Sequence, residues 1–175
     1  MKVIPYTLIS TVLLLLLAAC SASSQSSHAN DSKDKEPSLK VVNLYDSTQC
    51  GTAVTTQWIS NQETFATVFR AARQQMIFPA SSQPPSIDFA RYGVVLVSMG
   101  QQRTGGYAVE LAQEELEVSH DTAQIAIRWR EPEPGMIVTQ ALTHPCVFLQ
   151  VPRANYHSVR VVDQNNQVRA EFSIN

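Results

Sequence analysis

The chain lacks any apolar run approaching the roughly 20 residues that a helix needs to cross a bilayer, so no segment reads as a transmembrane span. It also lacks a positive excess: 13 Lys and Arg stand against 15 Asp and Glu, a formal net charge of -2. Nucleic-acid binding needs a basic stripe that displaces phosphate counterions, which excludes DNA and RNA as partners. Cysteine is sparse, with three in 175 residues. His144 and Cys146 stand two apart, and no second Cys or His pair completes a four-ligand zinc site. No metal, cofactor or small-molecule substrate is expected. Solenoid-length repeats are absent as well, leaving room for one domain plus targeting and tether segments.

What is present begins with a tripartite start. Lys2 supplies a positive charge, Tyr6 to Leu17 is mostly apolar, and the small residues Ala18 and Ala19 precede Cys20. Residues 1–19 therefore read as a signal peptide. Leu17-Ala18-Ala19-Cys20 resembles the bacterial lipobox, in which the thiol receives a diacylglyceryl group and small side chains admit the signal peptidase. Cys20 is the expected lipidation site, carrying diacylglycerol and a further acyl chain such as palmitate. Two or three chains, at about 0.8 kcal/mol per buried CH2, hold a protein on a bilayer where one does not. Ser21 follows in place of an aspartate retention signal. The expected location is the cell envelope, lipid-anchored, at the outer membrane facing the periplasm where the source has one. Ser21 to Ser38 then carries no large apolar residue. Such a stretch cannot offset its ordering entropy, so 20–38 reads as lipidated cysteine and disordered tether, averaging roughly 25 Å end to end.

Residues 39–175 are expected to form a single β-rich domain. Export leaves Cys50 and Cys146 in an oxidising compartment, where an even number usually pairs. The alternatives are two buried free thiols or one reactive thiol. Val41 to Tyr45 and Ala53 to Ile59 are candidate strands. Ser60 or Asn61 can cap a helix with Glu63 in its first turn. Phe65, Val68, Phe69 and Ala72 recur at helical spacing, Met76 one turn later, and Pro79 with Pro84-Pro85 forbids continuation.

Val94 to Val97 is apolar throughout and predicts a central strand covered on both faces. Tyr107, Val109, Leu111, Leu116 and Val118 alternate with polar or small residues, as do Ile125, Ile127 and Trp129. The two stretches read as a long hairpin turning at His120-Asp121, with Tyr107 and Trp129 in the core. Cys146 to Val151, Ser158 to Val162 and Val168 to Ile174 close the fold. The expected class is mainly β (α+β): a curled antiparallel sheet, small sandwich or barrel with one amphipathic helix packed on it.

Chemistry-bearing patterns fail one by one. Gly100-Gln-Gln-Arg-Thr-Gly105-Gly106-Tyr107 has the first two glycines of a phosphate loop but no lysine or hydroxyl after them, and a strand follows instead of a helix. Its structural reading is a glycine-rich hairpin in which Gly105 and Gly106 supply positive φ. Ser98 has Leu96 where a nucleophile elbow needs glycine. Cys146 with a histidine base competes with structural pairing to Cys50. Glu114, Glu115, Glu117, Glu131 and Glu133 sit in polar or proline-rich surroundings and read as solvated edge charges, not as an acid/base pair. Arg128 and Arg130 share a strand face and suit either a docking patch or exposed pairing with Glu110. An enzyme is not expected.

Ile87-Asp88-Phe89, the strand Gly93 to Gly100, then Arg103-Thr104-Gly105-Gly106-Tyr107, Pro134-Gly135 and Thr139-Gln140…His144-Pro145-Cys146 resemble the C-terminal domain of protease-complex subunit PrcB proteins. The resemblance covers roughly Phe89 to Val162. Arg103 departs from it, since the family commonly has proline near that position. The resemblance implies a non-catalytic, envelope-associated accessory subunit of an extracytoplasmic protease complex, with a protein partner. Arg103, Thr104, Gly105, Gly106 and Tyr107 are the candidate recognition loop, or a hairpin serving only the fold. Two alternatives come from other classes. The Thr-Gly-Gly-Tyr loop also resembles a loop of chagasin-type cysteine-protease inhibitors, and a structural envelope lipoprotein would bind another protein or a cell-wall polymer.

Overall fold

The computed structural model describes residues 39–74 and 83–174, which lie within one compact unit. The signal segment, Cys20, the tether, Met76 and Pro79 lie outside the described residues. In chain order the elements are β1 (Val42–Ser47), β2 (Gln57–Ile59), α1 (Gln62–Arg73), β3 (Tyr92–Ser98), β4 (Ala108–Leu111), β5 (Glu117–Ser119), β6 (Thr122–Arg130), β7 (Cys146–Pro152), β8 (Ser158–Val162) and β9 (Val168–Ser173). They build two sheets. The first is antiparallel with strand order β1-β7-β3-β2; the second has order β4-β6-β8-β9, with β5 also paired to β6. The mainly-β expectation holds, in its sandwich form and with one helix among the described residues.

Local chemistry explains α1. The Asn61 side chain accepts from Thr64 N at 2.8 Å, Glu63 occupies the first turn and Arg70 and Arg73 the last, each charge suiting the nearby end of the helix dipole. Phe65, Phe69 and Ala72 are its buried stripe. They pack on one face of the first sheet with Val94, Leu96, Phe148 and the Cys50–Cys146 disulfide. The opposite face of the same strands presents Val95, Val97, Val147, Leu149 and Val151 to Ile125, Ile127, Val159 and Val161 of the second sheet. Alternation along β3 and β7 thus feeds two cores from two strands.

Several predicted connections come out differently. β3 and β4 lie in different sheets, so the 99–107 stretch is a crossover and not a hairpin. The long strand expected from Tyr107 to Val118 is broken into β4 and β5, because the residues between pair with the start of the domain. Val41 N donates to Glu114 O at 2.7 Å and Leu116 N to Leu39 O at 2.9 Å. The turn at His120-Asp121 is as expected, both with positive φ. Its Asp121 carbonyl then accepts from His157 and Ser158 N, starting β8 at the same end as β6. Those two strands are therefore parallel: β7, in the other sheet, carries the chain back between them. Ala53–Ile59 yields strand only at Gln57–Ile59.

Candidate functional site

The glycine crossover is held against the segment that precedes β7. Met99 N donates to Pro145 O at 2.9 Å, Gln102 and Thr143 exchange both backbone bonds at 2.8 and 3.0 Å, and Gly105 N donates to Thr139 O at 2.9 Å. The Thr143 hydroxyl donates to Thr104 O at 2.9 Å. The two glycines have different jobs. Gly106 has φ +91°, the left-handed region that glycine tolerates, whereas Gly105 is not among the positive-φ residues. A Cβ on Gly105 would sit 2.3 Å from the Thr139 hydroxyl oxygen, so its requirement is close approach. The Thr-Gly-Gly sequence is thus a buttress for 139–143. Tyr107 is half-buried and Arg103 exposed; Arg103 makes no ion pair among the described residues.

The buttressed segment is itself stiffened at its start. Met136 N donates to Glu133 O at 3.0 Å across Pro134 and Gly135, the latter at φ +86°. Proline followed by positive-φ glycine is the pattern of a type II turn. Between this turn and the Gln102–Thr143 pairing the chain is exposed except at Val138, which is half-buried over Gly106. Ile137 is 100% accessible, Leu142 61% and Met136 53%. The backbone groups of Ile137, Val138, Gln140 and Ala141 find no hydrogen-bond partner among the described residues. The sequence signal was a Met-Ile-Val run directly after the Pro134-Gly135 pair that the family resemblance includes.

The arginine face is internally paired. Arg130 contacts Glu110 at 2.6 Å and Arg128 the same carboxylate at 3.6 Å, exposed pairs that contribute little to stability. Next to them Trp129 is half-buried against the inter-sheet core. Its indole N–H donates to Glu131 at 2.8 Å, and the Arg169 guanidinium lies 4.3 Å from the ring centroid. The side chain of Gln164 bonds Trp129 N and O at 2.9 and 2.8 Å, continuing the ladder where β8 has ended. A cavity of about 490 Å³ lies here, bordered by Arg128, Arg130 and Arg169.

Asp163 anchors the β8–β9 turn. Burial works to raise its pKa, but N–H groups of Gln167 and Asn165 and the Arg169 side chain outweigh it and hold the carboxyl below the usual 3.8. His144 is buried beside the disulfide, and burial lowers its pKa from 6.5. Cys146 has its sulfur bonded to Cys50, so no thiolate stands beside that histidine to act as nucleophile. Among the described residues no group of three or more His, Cys, Asp or Glu is arranged to hold a metal, and no helix is long and apolar enough to cross a membrane.

Residues 94–152 match the family model described as PrcB C-terminal. The match covers about a third of the chain and runs from the central strand β3 through the glycine crossover and the braced segment to β7. It is narrower than the 89–162 span of the sequence resemblance. No curated protein and no solved structure matches the chain.

Proposed function

We propose that this protein is a lipid-tethered, non-catalytic binding subunit of the cell envelope that accompanies an extracytoplasmic protease. The observation that carries the reading is the PrcB C-terminal match, whose residues include both the glycine crossover and the segment it buttresses. That segment offers apolar side chains and unpaired backbone to another molecule. The lipobox-like Leu17-Ala18-Ala19-Cys20 and the polar tether after it support attachment to a membrane through acylated Cys20, with the outer membrane facing the periplasm as the location. The crossover supports recognition by positioning the segment that touches the partner, through Gly105 N donating to Thr139 O and the Thr143 hydroxyl donating to Thr104 O.

Two experiments test this. Metabolic labelling with palmitate should mark the wild-type protein and leave Cys20→Ala unlabelled; equal labelling of both defeats the anchor. Affinity purification of the acylated protein from its own envelope should bring down a peptidase whose level falls when this chain is deleted. Stoichiometric inhibition of a papain-like enzyme by the purified domain would instead establish the chagasin-like alternative. Recovery of a cell-wall polymer without a peptidase would establish the structural one.

A further inference from the structure

We propose that Gly135–Leu142 docks as an extended segment into a cleft on a second protein that reads extended polypeptide, with Ile137 as the side-chain anchor. The proposal deepens the reading of this chain as a binding subunit and rests on it. Three properties of the segment converge. Its apolar side chains face solvent: Ile137 is fully accessible, Leu142 and Met136 more than half. The backbone groups of Ile137, Val138, Gln140 and Ala141 are unpaired within the chain. The Glu133–Met136 turn fixes one end and the Gln102–Thr143 pairing the other. Unpaired main chain between alternating side chains is what β-augmenting and peptide-reading clefts bind, main-chain bonds supplying affinity and pockets specificity. Fixing both ends lowers the entropy that docking must overcome.

The same properties argue against the other occupants. A bilayer has nothing to satisfy free N–H and C=O groups, and the exposed Glu131 and Glu133 at the entry to the segment are repelled by anionic lipid. The tether joins at Leu39, beyond the end of β1 where Val42 faces Gln150. The segment leads into the opposite end, where Ser47 faces Cys146. It therefore lies at the end of the sheet opposite Leu39, where the described residues begin. For a second copy of this chain, the cavity at the Leu39 end is bordered by Lys40, Arg91 and Arg153. Joining that end to the segment of the next copy is a heterologous contact, which builds rings or filaments and not the two-fold pairs that are commonest among homo-oligomers.

The test places a photo-crosslinking residue at Ile137, and in separate proteins at Glu171 on the outer face of the second sheet and at Val42 near the tether end. Each is made in the whole chain and irradiated in its own cell envelope. The expected result is an adduct at position 137 with one protein, mapped to residues lining a groove for extended chain. Ile137→Asp should cut co-purification of that protein at least tenfold, as loss of a hot-spot side chain does, while the melting midpoint stays unchanged. An adduct at 137 with lipid, with a second copy, or with a flat surface of a protein overturns the proposal. Protein adducts at Glu171 or Val42 and none at 137 overturn this surface while leaving the binding-subunit reading intact. Silence at all three positions removes both.

Discussion

The two cores of this domain are built from the same strands yet differ in kind. On the helix side rings dominate: Phe65, Phe69 and Phe148 lie with centroids 5.3 to 6.1 Å apart, beside the disulfide. Between the sheets the buried residues are largely aliphatic: Val95, Val97, Val147, Leu149, Ile125, Ile127, Val159 and Val161. Two stacked sheets keep a near-constant separation of about 10 Å, and β-branched side chains of similar reach fill it evenly. A helix of 12 residues, about 18 Å long, is round and covers a sheet unevenly, so rings fill the wider gaps around it. The helix side also takes the added ties. Gly51 N donates to Ala72 O at 3.0 Å, and a Cβ on that glycine would fall 2.1 Å from the Ala71 carbonyl oxygen. The lesson is that pleat alternation alone assigns neighbours such as Phe148 and Leu149 to cores of different character.

That contrast yields measurements, in descending size. Replacing Cys50 and Cys146 together by Ser should lower unfolding free energy by about 4–5 kcal/mol, since the bridged residues are 96 apart and the chain-entropy cost grows with loop length. Urea unfolding measures it, and a loss under about 1 kcal/mol would show that the aromatic side holds without its covalent tie. Phe148→Ala should cost about 3–5 kcal/mol and Leu149→Ala about 2–5 kcal/mol, both moving one shared transition. Hydrogen exchange that quickens only in α1, β1 and β2 for Phe148→Ala would instead make the cores separately cooperative units.

Acid should separate the regions by pH. His144 has a lowered native pKa, so only the unfolded chain takes up its proton near 6.5. Stability therefore falls as pH drops below that value. Asp163 also has a lowered native pKa. Its contribution is complete above the unfolded value of 3.8 and is lost as pH falls below it. Thermal midpoints against pH should show the upper step vanish in His144→Gln and the lower step shrink in Asp163→Asn. The smallest effect on stability is expected outside both cores: Ile137→Asp should stay within about 0.5 kcal/mol of wild type, although it removes the proposed anchor.

How much of this was legible follows from the range of each interaction. Asn61, Glu63 and the Phe65-Phe69-Ala72 stripe announced α1 because capping and amphipathicity act within a few residues. Val94 to Val97 announced a doubly covered strand for the same reason. The glycine crossover was picked out as a motif, but its role was not legible, since Thr139 and Thr143, its partners, lie over 30 residues away. Gly93 gave a weak signal, a glycine inside an apolar strand. Only the folded chain shows the Trp58 ring 2.0 Å from where its Cβ would be.

The amino-acid order alone placed α1, the apolar stretches that form most of the strands and the faces they turn inward, because periodicity and turn chemistry are local. Strand ends and breaks, such as the gap between β4 and β5, came only with the fold. Which strands meet was decided by the tertiary structure. β3 and β4 part into separate sheets, β6 and β8 run parallel, and Met136, Ile137 and Leu142 stay uncovered. Each of those outcomes depends on where distant stretches find room to bury apolar surface together, a property of the assembled chain that no short stretch carries.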